Sequence, residues 1–399
     1  MDIKNKLKNK LKVIPVTIYV EFLKIIYILF LKKKDDIWLI CETENQAQDN
    51  GYHFFKYIRE NYPQKKVFFL IKESSPDYFK VDNLGNVIKY MSIKHIIYMF
   101  QAELILSTHG LWMVPREFGI LKKHTKKIIR AKKIMLQHGI IAIKNVEKEY
   151  NKLKFELKDG FVVSSEFEKE IVINKLKYTE EEIFLTGLPR MDNLVKNNKF
   201  KNKGILLMPT FRKGIDCNEK KFKNSDFFYQ ISNLLKNKSL NELLSLYKVE
   251  LNLYLHQNFQ QYNNLFKKFE NENIKVLEQK KSNFQDILKN NKLMITDYSS
   301  VAFDFSYLNK PVIFYQFDCE NFLKTREKAG YIDIKKDLFG FRTEKEEEVV
   351  KKIENYIEAD FIVEKIYKQR LNRYFKFRGQ NNCERLYKKL IIFLKTEDE

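Results

Sequence analysis

The sequence predicts an α/β protein with two Rossmann-like domains that face each other across a cleft. Three observations support this prediction. Short apolar runs typical of strands alternate with helical stretches, which is typical of a parallel sheet covered on both faces. The alternation restarts after residue 203. The chain has 399 residues, 44% of them hydrophobic, which is enough for two cores.

The first half contains seven predicted strands and two helices. One helix spans 51–61, with Phe54, Phe55 and Ile58 on one face, and a second follows residue 90 and runs through Met99. The apolar runs that predict strands cover 36–44, 66–73, 86–90, 102–108, 132–139, 159–165 and 182–187.

The second half repeats this pattern after a join near 187–203. Charged sequence with helical character fills the chain from Glu344 onward. The apolar runs that predict strands cover 204–210, 249–256, 275–279, 292–300 and 310–316. No repeat of 20–50 residues is visible, so a solenoid is excluded.

The N-terminal segment has the composition of a membrane contact. Nine lysines against two acids give residues 1–34 a net charge of +7. Residues 13–31 are largely apolar, but Glu21 and Lys24 interrupt them, at a cost of about 2.5–3.5 kcal/mol each at a bilayer centre. The pattern favours an amphipathic helix lying in the membrane interface. A single span and a first helix buried in the protein remain open.

The overall charge calls for anionic partners. The formal charge is +21 with a pI near 9.4, which suits nucleic acid, an anionic membrane or phosphate-rich substrates, although codon bias also enriches lysine. The sequence lacks the motifs of common nucleic-acid-binding modules, so we expect no nucleic-acid partner. Neither GxGxxG nor GxxxxGK[ST] occurs. Four widely spaced cysteines predict neither a disulfide framework nor a Cys-based zinc site.

The candidate site residues share one position, just past a predicted strand, where ligands bind in open α/β sheets. They are His109, His138 with Gly139, Arg190, Thr210 with Arg212, His256, Asp297, Ser299 and Ser300.

Each residue type suits phosphate chemistry. The imidazole of His138, on a Gly turn, suits a general base. Ser299 and Ser300 open a predicted helix, where hydroxyl and N–H groups can bind phosphate. Arg190 and Arg212 offer bidentate phosphate contacts. The structural alternatives are a core histidine, simple helix capping and a surface ion pair.

Four segments carry a resemblance. The most specific is ITDYSSVAFDFSYLNKPVIFYQFD at 295–318, joined by TGLPRMDNL at 186–194, MPTFRKG at 208–214 and LYLHQNF at 253–259. Taken in chain order, these segments resemble the CDP-glycerol glycerophosphotransferase family of teichoic-acid primases and polymerases and their capsule or surface-glycan relatives. The similarity runs from about residue 37 to 390.

This resemblance implies a GT-B-like architecture with a membrane-association segment at 1–34, an acceptor domain at 35–187 and a CDP-donor domain at 188–399. It implies that His138 is the catalytic base and that His256 acts at the donor phosphates. Ser299 and Ser300 match the family's phosphate-binding serines, and we expect Asp297, Thr210 and Arg212 beside them. Gly139, His109 and Arg190 are expected on the acceptor side.

The implied reaction transfers a polyol phosphate from CDP-glycerol, or another CDP-polyol, onto a hydroxyl of a lipid-linked glycan or polymer, releasing CMP. The expected location is the cytoplasmic face of a bacterial membrane, held peripherally. No cofactor and no metal site are expected, and a role for Mg²⁺ stays open, as do the oligomeric state, the polyol and the choice between primase and polymerase.

One departure concerns the acceptor. Many teichoic-acid members read WHGTPLK where this chain reads QHGIIAIK at 137–144. This departure bears on the acceptor more than on the reaction. Two alternatives to the implied function are also open: a GT-B glycosyltransferase that uses a nucleotide sugar, and a catalytically inactive module that binds a lipid carrier.

Overall fold

A computed structural model describes residues 36–118, 121–196, 204–279, 283–324 and 328–396. The predicted N-terminal amphipathic helix lies outside these residues. Within them, no helix is both long enough and apolar enough to cross a bilayer.

The first unit is built on a parallel sheet of seven described strands in the order β3-β2-β1-β4-β5-β6-β7. The order reverses between β1 and β4, which creates the switch point where doubly wound sheets bind ligands. The strands are β1 Trp38–Cys41, β2 Val67–Ile71, β3 Val87–Lys89, β4 Leu104–Ser107, β5 Lys132–Met135, β6 Gly160–Val163 and β7 Ile183–Leu185.

Several helices of this unit begin at side-chain caps that the sequence supplies. Asp49, Ser92 and Ser165 each accept a hydrogen bond from a backbone N–H of the following turn. The helices are α1 Asn50–Asn61, α2 Tyr78–Asp82, α3 Ile93–Gln101, α4 Leu121–Ile128, α5 Glu147–Tyr150, α6 Glu166–Asn174, α7 Arg190–Val195 and the C-terminal α17 Asn382–Lys395, with a 3₁₀ turn at Arg116–Phe118.

The second unit repeats the same winding with six described strands, all parallel, in the order β10-β9-β8-β11-β12-β13. Its switch point lies between β8 and β11. The strands are β8 Gly204–Leu207, β9 Leu251–Leu253, β10 Ile274–Val276, β11 Asn291–Thr296, β12 Val312–Tyr315 and β13 Phe341–Thr343.

The helices of the second unit cover its sheet and bury a core rich in phenylalanine, in which Phe222 stacks on Tyr262 at 4.2 Å between ring centroids. They are α8 Glu219–Lys223, α9 Asp226–Lys236, α10 Lys238–Tyr247, α11 Asn263–Lys267, α12 Phe284–Asn290, α13 Val301–Tyr307, α14 Cys319–Lys324, α15 Glu346–Glu358 and α16 Lys365–Asn372, with a 3₁₀ helix at Gln257–Tyr262.

The two compact units divide the chain at points other than the predicted boundary. Among the described residues, the first comprises 36–138, Val146–Asn193 and 379–396, and the second comprises Gly139–Asn145 and 194–378, with the gaps given above. The last helix was expected in the donor domain.

Helix α17 belongs to the first unit because residues of that unit contact both its N-terminus and one of its faces. Asp192 accepts hydrogen bonds from the N–H groups of Asn382 and Cys383. Tyr387 stacks on Tyr62 with ring centroids 4.0 Å apart. These contacts join residues that are at least 190 positions apart in the sequence, so sequence patterns could not pair them.

All twelve predicted strands are present, although the structure shortens most of them. Strand β13 was missed. It has three residues, of which only Thr343 is buried, so it shows no apolar run. The four cysteines are free, in line with the predicted absence of disulfides.

His95 in α3 is a structural histidine of the first unit. Its side chain is almost fully buried, its Nδ1 accepts the N–H of Met91 at 3.0 Å, and its Nε2 lies 2.7 Å from the carbonyl oxygen of Met113. The ring is therefore neutral, with the proton on Nε2. Burial lowers the pKa of His95 to about 4, although the bond to Met113 opposes the shift.

We predict that this burial makes the stability of the first unit depend on pH. The folded pKa lies below the unfolded one, so the neutral ring stabilises the fold above pH ~6.5, and this contribution is lost as the pH falls towards about 4. The free-energy deficit of the His95→Gln variant, measured by urea unfolding, should therefore shrink by up to about 3 kcal/mol between pH 7.5 and pH 4. A deficit independent of pH would contradict the prediction.

Candidate active site

The candidate base of the first unit lies at the carboxyl edge of its sheet. His138 follows β5, and Asp49 lies between β1, which flanks the switch point, and α1, so both side chains lie at the carboxyl edge of the sheet. The Nδ1 atom of His138 lies 2.5 Å from Oδ2 of Asp49. The His138 side chain is 60% exposed, whereas that of Asp49 is only 10% exposed. The buried carboxylate thus holds one ring nitrogen and leaves the ring accessible.

Arg190 fixes the Asp49 carboxylate from the other side. Its Nη1 donates to Oδ1 of Asp49 at 2.8 Å and to the carbonyl oxygen of His138 at 2.9 Å. Burial acts to raise the pKa of Asp49, but the charge of Arg190 and the hydrogen bond from His138 outweigh it and hold this pKa well below its usual range. Asp49 is therefore ionised, and Nδ1 of His138 carries the proton that it donates to it.

The turn before His138 is shaped by local strain and by buried polar contacts. Gln137 has φ of 64°, in the left-handed region. Its Nε2 donates to the buried Glu168 at 3.1 Å. Asn50 Nδ2 donates to the carbonyl oxygens of Leu136 and Gln137, at 3.2 and 2.9 Å. Side chains far apart in sequence thus hold the turn that presents His138.

His109 lies next to the base. Its ring centroid is 4.2 Å from that of His138, and its Nδ1 is 2.7 Å from the hydroxyl of Thr108. Burial lowers the pKa of His109 to about 4, and the neighbouring His138 contributes. His109 is therefore a neutral group beside His138 at physiological pH, and its role as a site residue stays a prediction.

These residues form a group with metal-ligand geometry. Ligand atoms of Asp49, His109 and His138 all lie within 4.8 Å of one another. Two histidines and a carboxylate are a ligand set that zinc accepts. However, the Arg190 guanidinium on Asp49 opposes a second cation there, and the contact between His138 and Asp49 already accounts for the arrangement.

Glu42 underlies the loop that presents Asp49. It is 1% exposed, and its carboxylate accepts the N–H groups of Gln48, Asp49 and Tyr52 at 2.8–2.9 Å. Burial raises the pKa of Glu42 to about 8, the nearby Asp49 charge adds to the rise, and the three N–H donors oppose it.

In the second unit, the predicted phosphate residues Thr210, Arg212 and Asp297 form a network with one another. Asp297 is 1% exposed and accepts the N–H of Thr210 at 2.9 Å and Nη2 of Arg212 at 2.8 Å. Arg212 also binds Asp318 through Nε at 2.7 Å and Nη2 at 3.0 Å, and its Nη1 donates to the Thr210 carbonyl.

Arg212 therefore holds the loop after β8 against the loops after β11 and β12. Four of its hydrogen-bond contacts go to protein oxygens, which leaves little of its fork for a ligand. The sequence predicted that Arg212 makes a bidentate contact with phosphate. In the structure, Arg212 instead pairs with two carboxylates, Asp297 and Asp318, and Asp318 was not among the candidates.

Ser299 and Ser300 lie just past the end of β11, and His256 lies just past the end of β9. Ser299 Oγ accepts the N–H of Val301 at 3.2 Å, and Ser300 starts α13 without a side-chain capping bond. His256 begins the 3₁₀ helix after β9, where its Nδ1 accepts the N–H of Asn258 at 3.2 Å. All three are half-buried at the carboxyl edge of the sheet.

Gly139, the predicted partner of His138, packs in the second unit. A Cβ atom at Gly139 would lie 3.1 Å from Oγ of Ser300, a separation tighter than most real contacts. The glycine thus permits a close approach of backbone to the serine hydroxyl.

Sequence reasoning missed Asp49, Glu42 and Asp318. Asp49 could have been found, because the first strand end of a doubly wound sheet is the usual ligand-binding loop. The segment ETENQAQDN that follows β1 carries three acids, but none of them was among the candidates.

Comparison with known sequences identifies the family. The sequence model of CDP-glycerol:poly(glycerophosphate) glycerophosphotransferases matches residues 21–392. The chain belongs to this family. The resemblance seen in the TDYSS and TGLPRMD segments is thereby confirmed.

Curated proteins of teichoic-acid synthesis are similar along most of this chain. The minor teichoic acid biosynthesis protein GgaB of Bacillus subtilis (strain 168) is 30% identical over 97% of the chain and 43% of its own length. The teichoic acid glycerol-phosphate primase of the same strain is 23% identical over 81% of the chain and 84% of its own length. The chain thus spans less than half of GgaB and most of the primase.

Solved structures share the fold of this family member. The wall teichoic acid polymerase TagF, in a histidine-to-alanine variant, superimposes with a TM-score of 0.71 at 15% identity, covering 100% of this chain and 99% of that one. A TagF variant soaked with CDPG gives a TM-score of 0.69 at 16% identity and covers 100% of both chains. The predicted GT-B-like fold class, with two Rossmann-like domains, is confirmed.

We predict that Arg212 is a major determinant of the stability of the second unit. The Arg212→Gln variant leaves two buried carboxylates without their cation, which typically costs about 3–5 kcal/mol. Urea unfolding should show this loss. The exposed Lys223, paired with Glu219 one turn away, provides the control, since Lys223→Gln should cost less than about 0.5 kcal/mol. Equal effects of the two variants would contradict the prediction.

Proposed function

We propose that this chain transfers glycerol phosphate from CDP-glycerol to a hydroxyl group of a lipid-linked glycan or polymer in teichoic-acid or related surface-polymer synthesis, with release of CMP. The observation that carries the proposal is the pair of Asp49 and the accessible His138 in a chain of this family. GgaB, the primase and TagF are all named for teichoic-acid synthesis.

In the proposed mechanism, His138 removes the proton from the acceptor hydroxyl. Its Nδ1–H donates to Asp49, so Nε2 is the nitrogen free to accept that proton. The acceptor oxygen attacks the phosphorus that bears glycerol, the bond from this phosphorus to the bridging oxygen breaks, and CMP leaves. Asp49 stabilises the imidazolium that forms, as a buried carboxylate does in other base dyads.

The donor phosphates are assigned to the second unit. The hydroxyls of Ser299 and Ser300 and the imidazole of His256 are half-buried polar groups just past the carboxyl ends of β11 and β9. Hydrogen bonds from such groups stabilise charge that develops on a leaving phosphate. Arg212 and Asp297 support this site by holding its loops.

A donor screen tests the reaction. The full chain is incubated with CDP-glycerol, CDP-ribitol or UDP-sugars together with a lipid-linked glycan, and released nucleotide and product mass are followed. We expect CMP release and a mass gain of one or more glycerol phosphates. Release of UDP with transfer of a sugar would instead support the glycosyltransferase alternative.

Variants of the dyad test the mechanism in the same assay. His138→Asn should lower kcat by about 10²–10⁴-fold because it removes the base. Asp49→Asn should lower it as well, because the amide no longer stabilises the imidazolium. His95→Gln, a change to a structural histidine of the same unit, is the control and should retain kcat. Wild-type turnover by folded His138→Asn would refute the assigned base.

We propose that the reaction needs no divalent ion, because the Asp49 carboxylate is already paired with Arg190 and His138. The same assay in EDTA should retain most of the activity. Full loss of activity that Mg²⁺ or Zn²⁺ restores would overturn this proposal.

We also propose that residues 1–34 hold the enzyme peripherally on an anionic membrane, at the cytoplasmic face, where nucleotide donors are made. The support is the +7 charge of this segment around an apolar stretch. Replacing Lys4, Lys6, Lys8, Lys10 and Lys12 with Gln should weaken binding to phosphatidylglycerol vesicles by at least about tenfold.

The control is an equal loss of charge from exposed positions of the second unit. The lysines replaced are Lys213, Lys220, Lys221, Lys236 and Lys238. Equal weakening by both sets would mean that general charge, rather than this segment, attracts the chain to the vesicles.

A further inference from the structure

Glu42 occupies the place where a doubly wound sheet ordinarily binds a phosphate. It is the first residue after β1, at the edge of the switch point, and the loop from Glu42 to Asn50 leads directly into α1. In folds of this kind, the loop after the first strand and the N-terminus of the following helix direct N–H groups at the ligand.

In this chain, those N–H groups are used by the protein itself. Oε1 of Glu42 accepts the N–H of Asp49 at 2.9 Å and that of Tyr52 at 2.8 Å, and Oε2 accepts the N–H of Gln48 at 2.9 Å. The N–H of Asn50 donates to the side chain of Asp49 at 2.8 Å. A buried carboxyl group therefore sits among N–H donors that would otherwise be offered to an anion.

The packing around Glu42 is specific to this arrangement. A Cβ atom at Gly51 would lie 2.9 Å from Cγ of Glu42, closer than real Cβ atoms approach. The first turn of α1 therefore accepts Glu42 only because residue 51 is glycine. The side chain is wholly enclosed, so no ligand contacts it directly.

The same contacts determine where Asp49 lies. The backbone N–H of Asp49 is bound to Glu42, while its carboxylate reaches His138 and Arg190. The residue that orients the proposed base is thus anchored at its backbone by Glu42. A change at Glu42 would move Asp49 without touching His138.

We propose that Glu42 is an internal substitute for a bound phosphate in the first unit, and that it acts as a positioning residue that places Asp49 for the base. This inference rests on the proposed role of His138. One consequence is that the first unit offers no diphosphate site at its first strand end, so the nucleotide donor is bound by the second unit alone.

The test uses two variants of Glu42 in the full chain. Glu42→Ala removes all three acceptor contacts and should lower kcat by up to about 10²-fold, since small misplacements of catalytic groups have effects of this size. Glu42→Gln retains one acceptor oxygen and should fall between Glu42→Ala and the wild type. The KM for CDP-glycerol should stay within about twofold of the wild-type value, because the donor is bound elsewhere.

A double-mutant cycle separates positioning from a merely structural role. If Glu42 acts through Asp49, Glu42→Ala should reduce kcat much less in the Asp49→Asn background than in the wild type. Asp159, a carboxylate that binds the N–H of Lys133 at the opposite edge of the sheet, is the matched control, and Asp159→Asn should leave kcat unchanged.

The outcomes are distinguishable. Additive losses of kcat in the cycle, or unchanged kcat in folded Glu42→Ala, would overturn the positioning role. A large rise in the KM for CDP-glycerol would overturn the assignment of the donor to the second unit alone. Wild-type activity of His138→Asn would instead refute the proposed base, whatever the Glu42 variants do.

Discussion

The carboxylate of Asp49 is the point on which the candidate site depends. It accepts hydrogen bonds from its neighbour's backbone N–H, from the Arg190 guanidinium and from the His138 imidazole. These groups come from the ends of β1, β7 and β5, so a single side chain ties three strand ends together. Because Arg190 keeps Asp49 ionised, the tautomer of His138 is determined before any substrate binds.

The two units have the same strand order but use their carboxyl edges in different ways. In the first, the carboxyl groups of Glu42 and Asp49 accept backbone N–H groups of the loop after β1, and the imidazole of His138 stays exposed. In the second, the Asp297 carboxylate accepts hydrogen bonds from Arg212 and from the Thr210 N–H, and the hydroxyls of Ser299 and Ser300 follow it in the same loop. One edge is thus suited to accepting a proton and the other to donating hydrogen bonds to an anion.

Local patterns predicted the parts of this structure that depend on local sequence. Buried parallel strands appear as apolar runs, so the two sheets could be predicted. His138, His256 and Ser300 became candidates because they are polar residues just past those runs. The partners of these residues could not be predicted in the same way. Asp49 is 89 positions from His138, and Asp318 is 106 positions from Arg212. An arginine after a strand suits a phosphate equally well until the carboxylate facing it is known.

The contacts of residues 137–143 show which interactions the difference between QHGIIAIK and WHGTPLK affects. Gln137 supplies an amide that binds the buried Glu168, a contact that tryptophan could not make in the same way. Residues 140–143 are buried, and the carbonyl oxygen of Ala142 accepts the N–H of Tyr331. The residues in which the two motifs differ therefore determine how this segment is packed and hydrogen-bonded. The neutral imidazole of His109 lies beside the exposed ring of His138, with ring centroids 4.2 Å apart, so this side of His138 does not depend on the residues in which the two motifs differ.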